Sequence, residues 1–291
     1  IDAPCQWAVS TCATTSSESD LAVAAGIGYA PRLSAAVVAI EGHIRLHFHA
    51  RGALSNLFIE PQPSLAVARG AEVVLSVCAV GLNFRDVLNV LGEYPGDPGP
   101  PGGDAAGVAG GRAVALFGVG HAPLACTALA SAHLLAPKPQ SLSFEQASTL
   151  PVTWSTTHAA LDRVELRAER ALTVHAAAGG VGLKAIEYAH WLRARLLGTA
   201  GGHAKHRQLR SIGVERLSSS RDASVFALAA ANLLRGHRLH AALNSLSLDF
   251  IPTSFATLGE RGALQEIGKR GVWAPLRQAA SAAHAAYGAI A

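Results

Sequence analysis

Gly179-Gly180-Val181-Gly182 ends one apolar run, Leu172-Thr-Val-His-Ala-Ala-Ala178, and opens another, Leu183-Lys-Ala-Ile-Glu-Tyr-Ala-His-Trp-Leu192. A glycine turn between a strand and a helix leaves backbone N–H groups bare at the helix N-terminus, where the helix dipole also favours negative charge. The usual anion at such a turn is a dinucleotide pyrophosphate. The spacing is Gly-Gly-x-Gly rather than the fuller G-x-G-x-x-G, and glycine also simply permits tight turns, so this stretch alone leaves a plain strand-to-helix turn open. The next apolar run, Arg195-Leu-Leu-Gly-Thr199, reads as the second strand. A dinucleotide fingerprint places a ribose-binding acid about 20 residues after its first glycine, near the end of that strand. Thr199-Ala-Gly-Gly202 stands there with no acid, followed by Lys205, His206 and Arg207, and further on by Arg221. Cations without an acid favour a 2′-phosphate over a free 2′-hydroxyl, the alternative being ordinary surface charges at a helix start.

These groups need a strand and a helix to hold them. Ala171–Val174 is short, apolar and partly β-branched, as a buried parallel strand should be, while Ala185, Ile186, Ala189 and Leu192 make a stripe at helical spacing. With 291 residues the chain has room for about two domains. Half of its residues are hydrophobic and 15% are charged, a globular rather than a disordered balance. No apolar stretch reaches the roughly 18 residues of a membrane span, so no membrane partner is expected. The net charge of +4 is modest and its basic residues are scattered, which argues against nucleic acid and leaves an acidic protein partner open. Four cysteines and thirteen histidines form no H-E-x-x-H or C-x-x-C pattern, so no metal site is expected. Reduced thiols and a cytoplasmic location follow as the default, an organelle not being excluded. The first residues, Ile1-Asp-Ala-Pro-Cys5, carry neither an initiator Met nor a signal-peptide pattern, and read as part of a longer chain.

Residues 1–43 are rich in Ala, Ser and Thr and read as a linker or the end of a preceding domain. From Ile44 the pattern changes. Ile44–Phe48, Asn56–Glu60 and Glu72–Val80 are strand candidates separated by turn signals, the spacing of a small barrel or sandwich. A short helix carrying Val87, Leu88 and Leu91 then ends at Gly92, with Tyr94 on a Pro-Gly turn.

Asn83-Phe-Arg-Asp86, Leu91-Gly-Glu-Tyr-Pro-Gly96, Gly102-Gly-Asp104, His175-Ala-Ala-Ala-Gly-Gly-Val-Gly182, Leu243-Asn-Ser-Leu246 and Glu266-Ile-Gly-Lys269 occur in that order. From Ile44 onward the chain thereby resembles the enoylreductase domain of type I modular polyketide synthases, among the zinc-free medium-chain dehydrogenase/reductases. The resemblance implies an α/β fold. A doubly wound, Rossmann-like cofactor domain over residues 151–291 would be joined to a smaller GroES-like β-barrel substrate domain over 44–150, the junction falling near Phe144–Val152. It implies NADPH-dependent reduction of the α,β-double bond of an enoyl thioester carried on an acyl carrier protein, within a multidomain synthase. Lys269 takes the role of proton donor. Tyr94 takes a place in the substrate pocket, associated with one stereochemical outcome at a methyl-branched α-carbon, and Asn83 and Asp86 line that pocket. Gly179, Gly180, Val181, Gly182, Thr199, Lys205, Arg221 and Asn244 are the cofactor residues. Neither zinc site of the zinc-dependent relatives can be built here.

Plainer readings stand beside these: Lys269 as an exposed lysine closing a strand, Tyr94 as a turn aromatic covering the barrel end, and Asn244 as a strand-end cap. Two departures matter. After Gly102–Val108 the family continues through a hairpin, but here about a dozen residues, two short strands and a turn, are missing, so the barrel is expected to be incomplete, with exposed edges. The chain also stops before an aspartate and a closing strand that the family carries. A quinone reductase-like oxidoreductase and a non-catalytic remnant of an enoylreductase domain are therefore the competing functions.

Overall fold

The computed structural model describes residues 8–12, 22–24, 27–34, 42–65, 68–109, 114–246, 249–269 and 271–290. Strands β1 (Ala8–Cys12), β2 (Ala22–Ala24) and β3 (Ile27–Ser34) form an antiparallel sheet in the order β1-β3-β2. They lie in the stretch read as a linker or the end of a preceding domain, most of which is outside the described residues.

The alternating runs after Ile44 pair as expected of short amphipathic strands. β4 (Ile44–Phe48) and β5 (Leu57–Pro61) make a two-stranded pair. β6 (Glu72–Gly81), the most β-branched of the runs, is followed by helix α1 (Phe84–Val90) and then by β7 (Asp104–Ala109), β8 (Val114–Val119), β9 (Thr127–Ser131) and β10 (Leu135–Pro137). These five strands form an antiparallel sheet in the order β10-β8-β7-β6-β9. The β4–β5 pair is tied to it where Leu46 N–H donates to Leu124 O (2.7 Å) and Cys126 N–H to Ile44 O (2.9 Å). The barrel is not closed, as the shortened sequence requires: β9 and β10 end the sheet without pairing with each other. At the shortened point β7 and β8 pair directly, from Asp104 opposite Val119 to Ala109 opposite Val114, and residues 110–113 between them are outside the described set.

Two helices lead onward. α2 (Phe144–Ser148) starts on a capping box, Ser143 Oγ accepting from Gln146 N–H (3.1 Å) and Gln146 Oε1 from Ser143 N–H (2.9 Å). α3 (Pro151–Arg163) places its proline in the first turn, where a missing N–H costs nothing.

The remainder alternates strand and helix: β11 (Ala171–Val174), α4 (Gly180–Trp191), β12 (Arg195–Ala200), α5 (His203–Ser211), β13 (Arg216–Ser219), α6 (Ala223–Leu234), β14 (Leu239–Asn244), α7 (Phe250–Thr257), β15 (Leu258–Glu266), α8 (Pro275–Ser281) and β16 (Ala286–Ala289). The six strands are parallel, in the order β13-β12-β11-β14-β15-β16. One face buries Leu161, Leu172, Val174, Ile186 and Leu209 under α3, α4 and α5; the other buries Phe226, Phe250, Ile251, Phe255 and Leu264 under α6 and α7. Because the chain winds outward from β11 to β13 and then crosses back to β14, the strand order reverses between β11 and β14. That reversal opens a crevice at the carboxyl ends of the strands, the place where doubly wound sheets bind ligands.

Candidate functional site

The glycine turn sits at this reversal. His175 N–H donates to Leu243 O of β14 (3.0 Å) and Ala177 N–H to Thr199 O of β12 (2.8 Å), so strands on both sides brace the turn. Gly179 N–H donates to Ala176 O (2.8 Å), and the first helical bond of α4 runs from Leu183 N–H to Gly179 O. The N–H groups of Gly180, Val181 and Gly182 have no partner among the described residues. Gly182 has a steric reason: a Cβ there would lie 2.7 Å from Ala176 O, Ala177 Cα and Ala177 O, so only glycine lets α4 pack this close to the turn. Bare donors on a twelve-residue helix, braced at a crevice, fit a pyrophosphate.

His175 lies directly beneath. It is 2% exposed, contacts Thr199 Oγ1 (3.2 Å) and Ser254 Oγ (2.8 Å), and packs edge-on against Phe226 and Phe250. Burial pushes its pKa down to about 3, so it is a neutral scaffold group. Thr199, which the resemblance puts among the cofactor residues, is the hydroxyl partner of this histidine. Its side chain is fully buried, and besides His175 it accepts from Ala176 N–H (3.2 Å). The surface past β12 belongs to Gly201, Ser220 and Arg221. A Cβ on Gly201 would meet Arg221 Nε at 3.0 Å and Ser220 Oγ at 3.3 Å, so the guanidinium lies across the end of β12. His206 holds α5 to the same strand end through Ala200 O (2.9 Å), and Lys205 beside it is exposed.

Across the reversal, Asn244 ends β14 and Glu266 ends β15, and both are buried. Asn244 Nδ2 donates to Glu266 Oε2 (2.5 Å) and to Leu246 O (2.6 Å), while Asn244 Oδ1 accepts from Leu246 N–H (3.2 Å). Both Asn244 amide hydrogens are thus engaged by acceptors inside the protein. Glu266 Oε1 accepts from Gly268 N–H (2.7 Å). Burial raises the Glu266 pKa to about 7, against the opposing pull of its Asn244 and Gly268 bonds. Lys269 is half-buried just beyond, its Nζ donating to Ile290 O (3.0 Å). Ser245 Oγ reaches back to His175 O at 3.4 Å, joining this cluster to the glycine turn.

The third group stands on the smaller sheet. Asp86 accepts from Asn83 N–H (2.8 Å) and Gly102 N–H (2.9 Å), and Asn83 Nδ2 donates to Asp104 Oδ2 (3.0 Å). Asp104 accepts in turn from Val152 N–H at the start of α3 (3.1 Å). Asp86, 5% exposed with both oxygens engaged, braces the loop, and Asn83, half-buried, is tied to the same brace. Burial lifts the Asp104 pKa to about 6. Thr153, next to Val152, places its methyl 3.2 Å from where a Gly180 Cβ would stand, so this brace abuts the glycine turn. Tyr94 is half-buried with the Arg85 guanidinium 5.8 Å from its ring centre, and Arg85 donates to Pro98 O. No hydrogen bond joins Tyr94 to Lys269 among the described residues. Among the described residues no group of three His, Cys, Asp or Glu could hold a metal ion, and no helix is long and apolar enough to cross a membrane.

Sequence reading missed Asp104, His175 and Glu266 as individual groups, although all three fall inside quoted motifs. Their signal was a polar residue in a stretch that is otherwise buried.

No family model matches the chain. Erythronolide synthase EryA2 of Saccharopolyspora erythraea is 38% identical over 75% of this chain and 6% of its own length. Among solved structures, CurK enoyl reductase superposes with a TM-score of 0.80 at 29% identity, over 86% of this chain and 81% of that one. Mycobacterial Rv1454c, solved in complex with NADPH, gives a TM-score of 0.76 over 86% and 81% of the two chains; at 23% identity that likeness is one of fold. The chain spans a small part, 6% to 16%, of the first curated relatives it matches, which are large polyketide synthases.

Proposed function

The chain is a homologue of modular type I polyketide synthases with the fold of the medium-chain dehydrogenase/reductase enoyl reductases, and from that premise we propose that it reduces the α,β-double bond of a carrier-bound enoyl thioester with NADPH. The observation that carries this reading is the glycine turn with three unpartnered N–H groups at the strand-order reversal, flanked by Arg221 on one side and the Lys269 turn on the other.

In this reading the N–H groups of Gly180, Val181 and Gly182 hold the pyrophosphate and the start of α4 supplies a favourable dipole. Arg221, lying across the end of β12, and Lys205 one turn into α5 take the 2′-phosphate, where no acid competes. Thr199 and Asn244 act through the backbone they shape. When bound, NADPH supplies the hydride that saturates the β-carbon. Lys269 delivers the proton to the α-carbon, its ammonium oriented by the Ile290 carbonyl. Tyr94, steadied by Arg85, faces the α-substituent and biases the side from which that proton arrives. The acyl carrier and the neighbouring synthase domains present the thioester. The remnant reading is not favoured, because the six-stranded doubly wound sheet and its braced turn are present.

The test is steady-state turnover of a short trans-2-enoyl thioester with NADPH and with NADH. Turnover with a marked NADPH preference is expected. Reduction of a quinone with no activity on the thioester would favour the quinone reductase reading, and absence of NADPH binding would overturn both.

A further inference from the structure

We propose that Glu266 is a positioning residue of the reductase, its buried carboxylate pinning the turn after β14 to the turn after β15 and so setting where Lys269 stands. The proposal rests on the reading of Lys269 as proton donor. The geometry is a closed ring of contacts. One carboxylate oxygen accepts from Asn244 Nδ2 and the other from Gly268 N–H, the residue immediately before Lys269. Asn244 in turn folds the 244–246 turn through both its amide and its carbonyl. The main chain of Glu266 completes the ring: its carbonyl accepts from Ile290 N–H (2.8 Å), and Ile290 O is the acceptor that holds the Lys269 ammonium. Lys269 is thus located twice through one residue, along the chain by Gly268 and at its tip by Ile290. Gly268 fits this role, since a Cβ there would lie 2.7 Å from Glu266 Oε1 and would displace the carboxylate. No ion pair joins Glu266 to Lys269 among the described residues, so the influence passes through position rather than charge. A buried carboxyl is costly unless its oxygens are bonded, so a buried glutamate whose oxygens grip two successive strand ends is well suited to hold a catalytic edge rigid.

Glu266→Gln tests this, because the volume is kept while one carboxylate oxygen becomes an NH2 that must face a donor. The expected result is a kcat lowered by about 10- to 100-fold, the scale of losing one hydrogen bond to a charged group, with NADPH affinity changed by about threefold or less. Amide hydrogen exchange should accelerate in the 244–246 and 267–269 turns and nowhere else. Gly268→Ala, which leaves Glu266 in place but displaces its carboxylate, should show the same split between kcat and affinity. In a Lys269→Ala background Glu266→Gln should add little further loss of kcat. Unchanged exchange at both turns, or a full additional loss of kcat without Lys269, would overturn the proposal. A wild-type chain that binds NADPH but reduces no enoyl thioester would defeat the functional reading instead, leaving the exchange and affinity measurements to decide the role of Glu266.

Discussion

Replacing Gly182 with alanine probes the contact on which the cofactor site depends. The new Cβ would sit 2.7 Å from three backbone atoms, Ala176 O, Ala177 Cα and Ala177 O, none of which can rotate away. Relief requires the start of α4 to retreat by about 0.7 Å, the difference between 2.7 Å and the 3.4 Å of ordinary contact. Overpacking of this kind costs about 1–3 kcal/mol, and each kcal/mol lowers Tm by about 2–4 °C in a chain of this size class. The N–H groups of Gly180, Val181 and Gly182 move with the helix. Losing one hydrogen bond to a charged phosphate costs about 1.5–3 kcal/mol, so NADPH affinity should fall by about 10- to 100-fold. Gly179→Ala is the matched control. A Cβ at Gly179 meets only Ala176 O, at 3.2 Å, and its extended backbone (φ −84°, ψ 169°) suits any residue. As a control for stability, that variant should melt within about 0.5 kcal/mol of the parent. The measurements are thermal melting and NADPH titration by fluorescence. A Gly182→Ala protein that melts and binds like the parent, or a Gly179→Ala protein that is the less stable of the two, refutes the reasoning.

Arg221→Ala should weaken NADPH by about tenfold or more while leaving NADH unchanged, since one charge-assisted contact to the 2′-phosphate is removed; equal losses for both cofactors would count against that contact. Lys269→Ala should lower kcat by about 10²- to 10⁴-fold, the range of a general acid, with NADPH affinity preserved; a wild-type kcat would remove Lys269 from the chemistry. Tyr94→Phe should leave cofactor titration unchanged and alter the product configuration from a 2-methyl-enoyl thioester, whereas unchanged configuration and kcat would reduce Tyr94 to packing. Asp104 and Glu266 both have folded pKa values raised by burial, to about 6 and about 7, from ordinary values of 3.8 and 4.5. The native state holds their protons more tightly than the unfolded chain, so their contribution to stability is present in full below about pH 4 and is lost as pH rises through 6 to 7. In denaturant melts across that window, Glu266→Gln should flatten the fall in stability between about pH 4.5 and 7 relative to wild type; an unaltered slope would mean that the carboxyl titrates normally.

Much of the framework was legible along the chain. Ile44–Phe48 alternates and is β4, Glu72–Val80 is β-branched and lies within β6, and the apolar run ending at Val174 is β11, because period and side-chain shape act over neighbouring residues. The glycine turn was readable for the same reason, and so was the open barrel, since a missing hairpin is a local gap. What the side chains of Thr199, Asn244 and Asp86 do was decided only by the tertiary structure. Thr199 meets His175 because β12 lies beside β11, and Asn244 meets Glu266 because β15 lies beside β14. Asp104 meets Val152 because α3 begins against the smaller sheet. A residue's type and spacing set which hydrogen bonds it can make and which face it takes, but strand order chooses the partner.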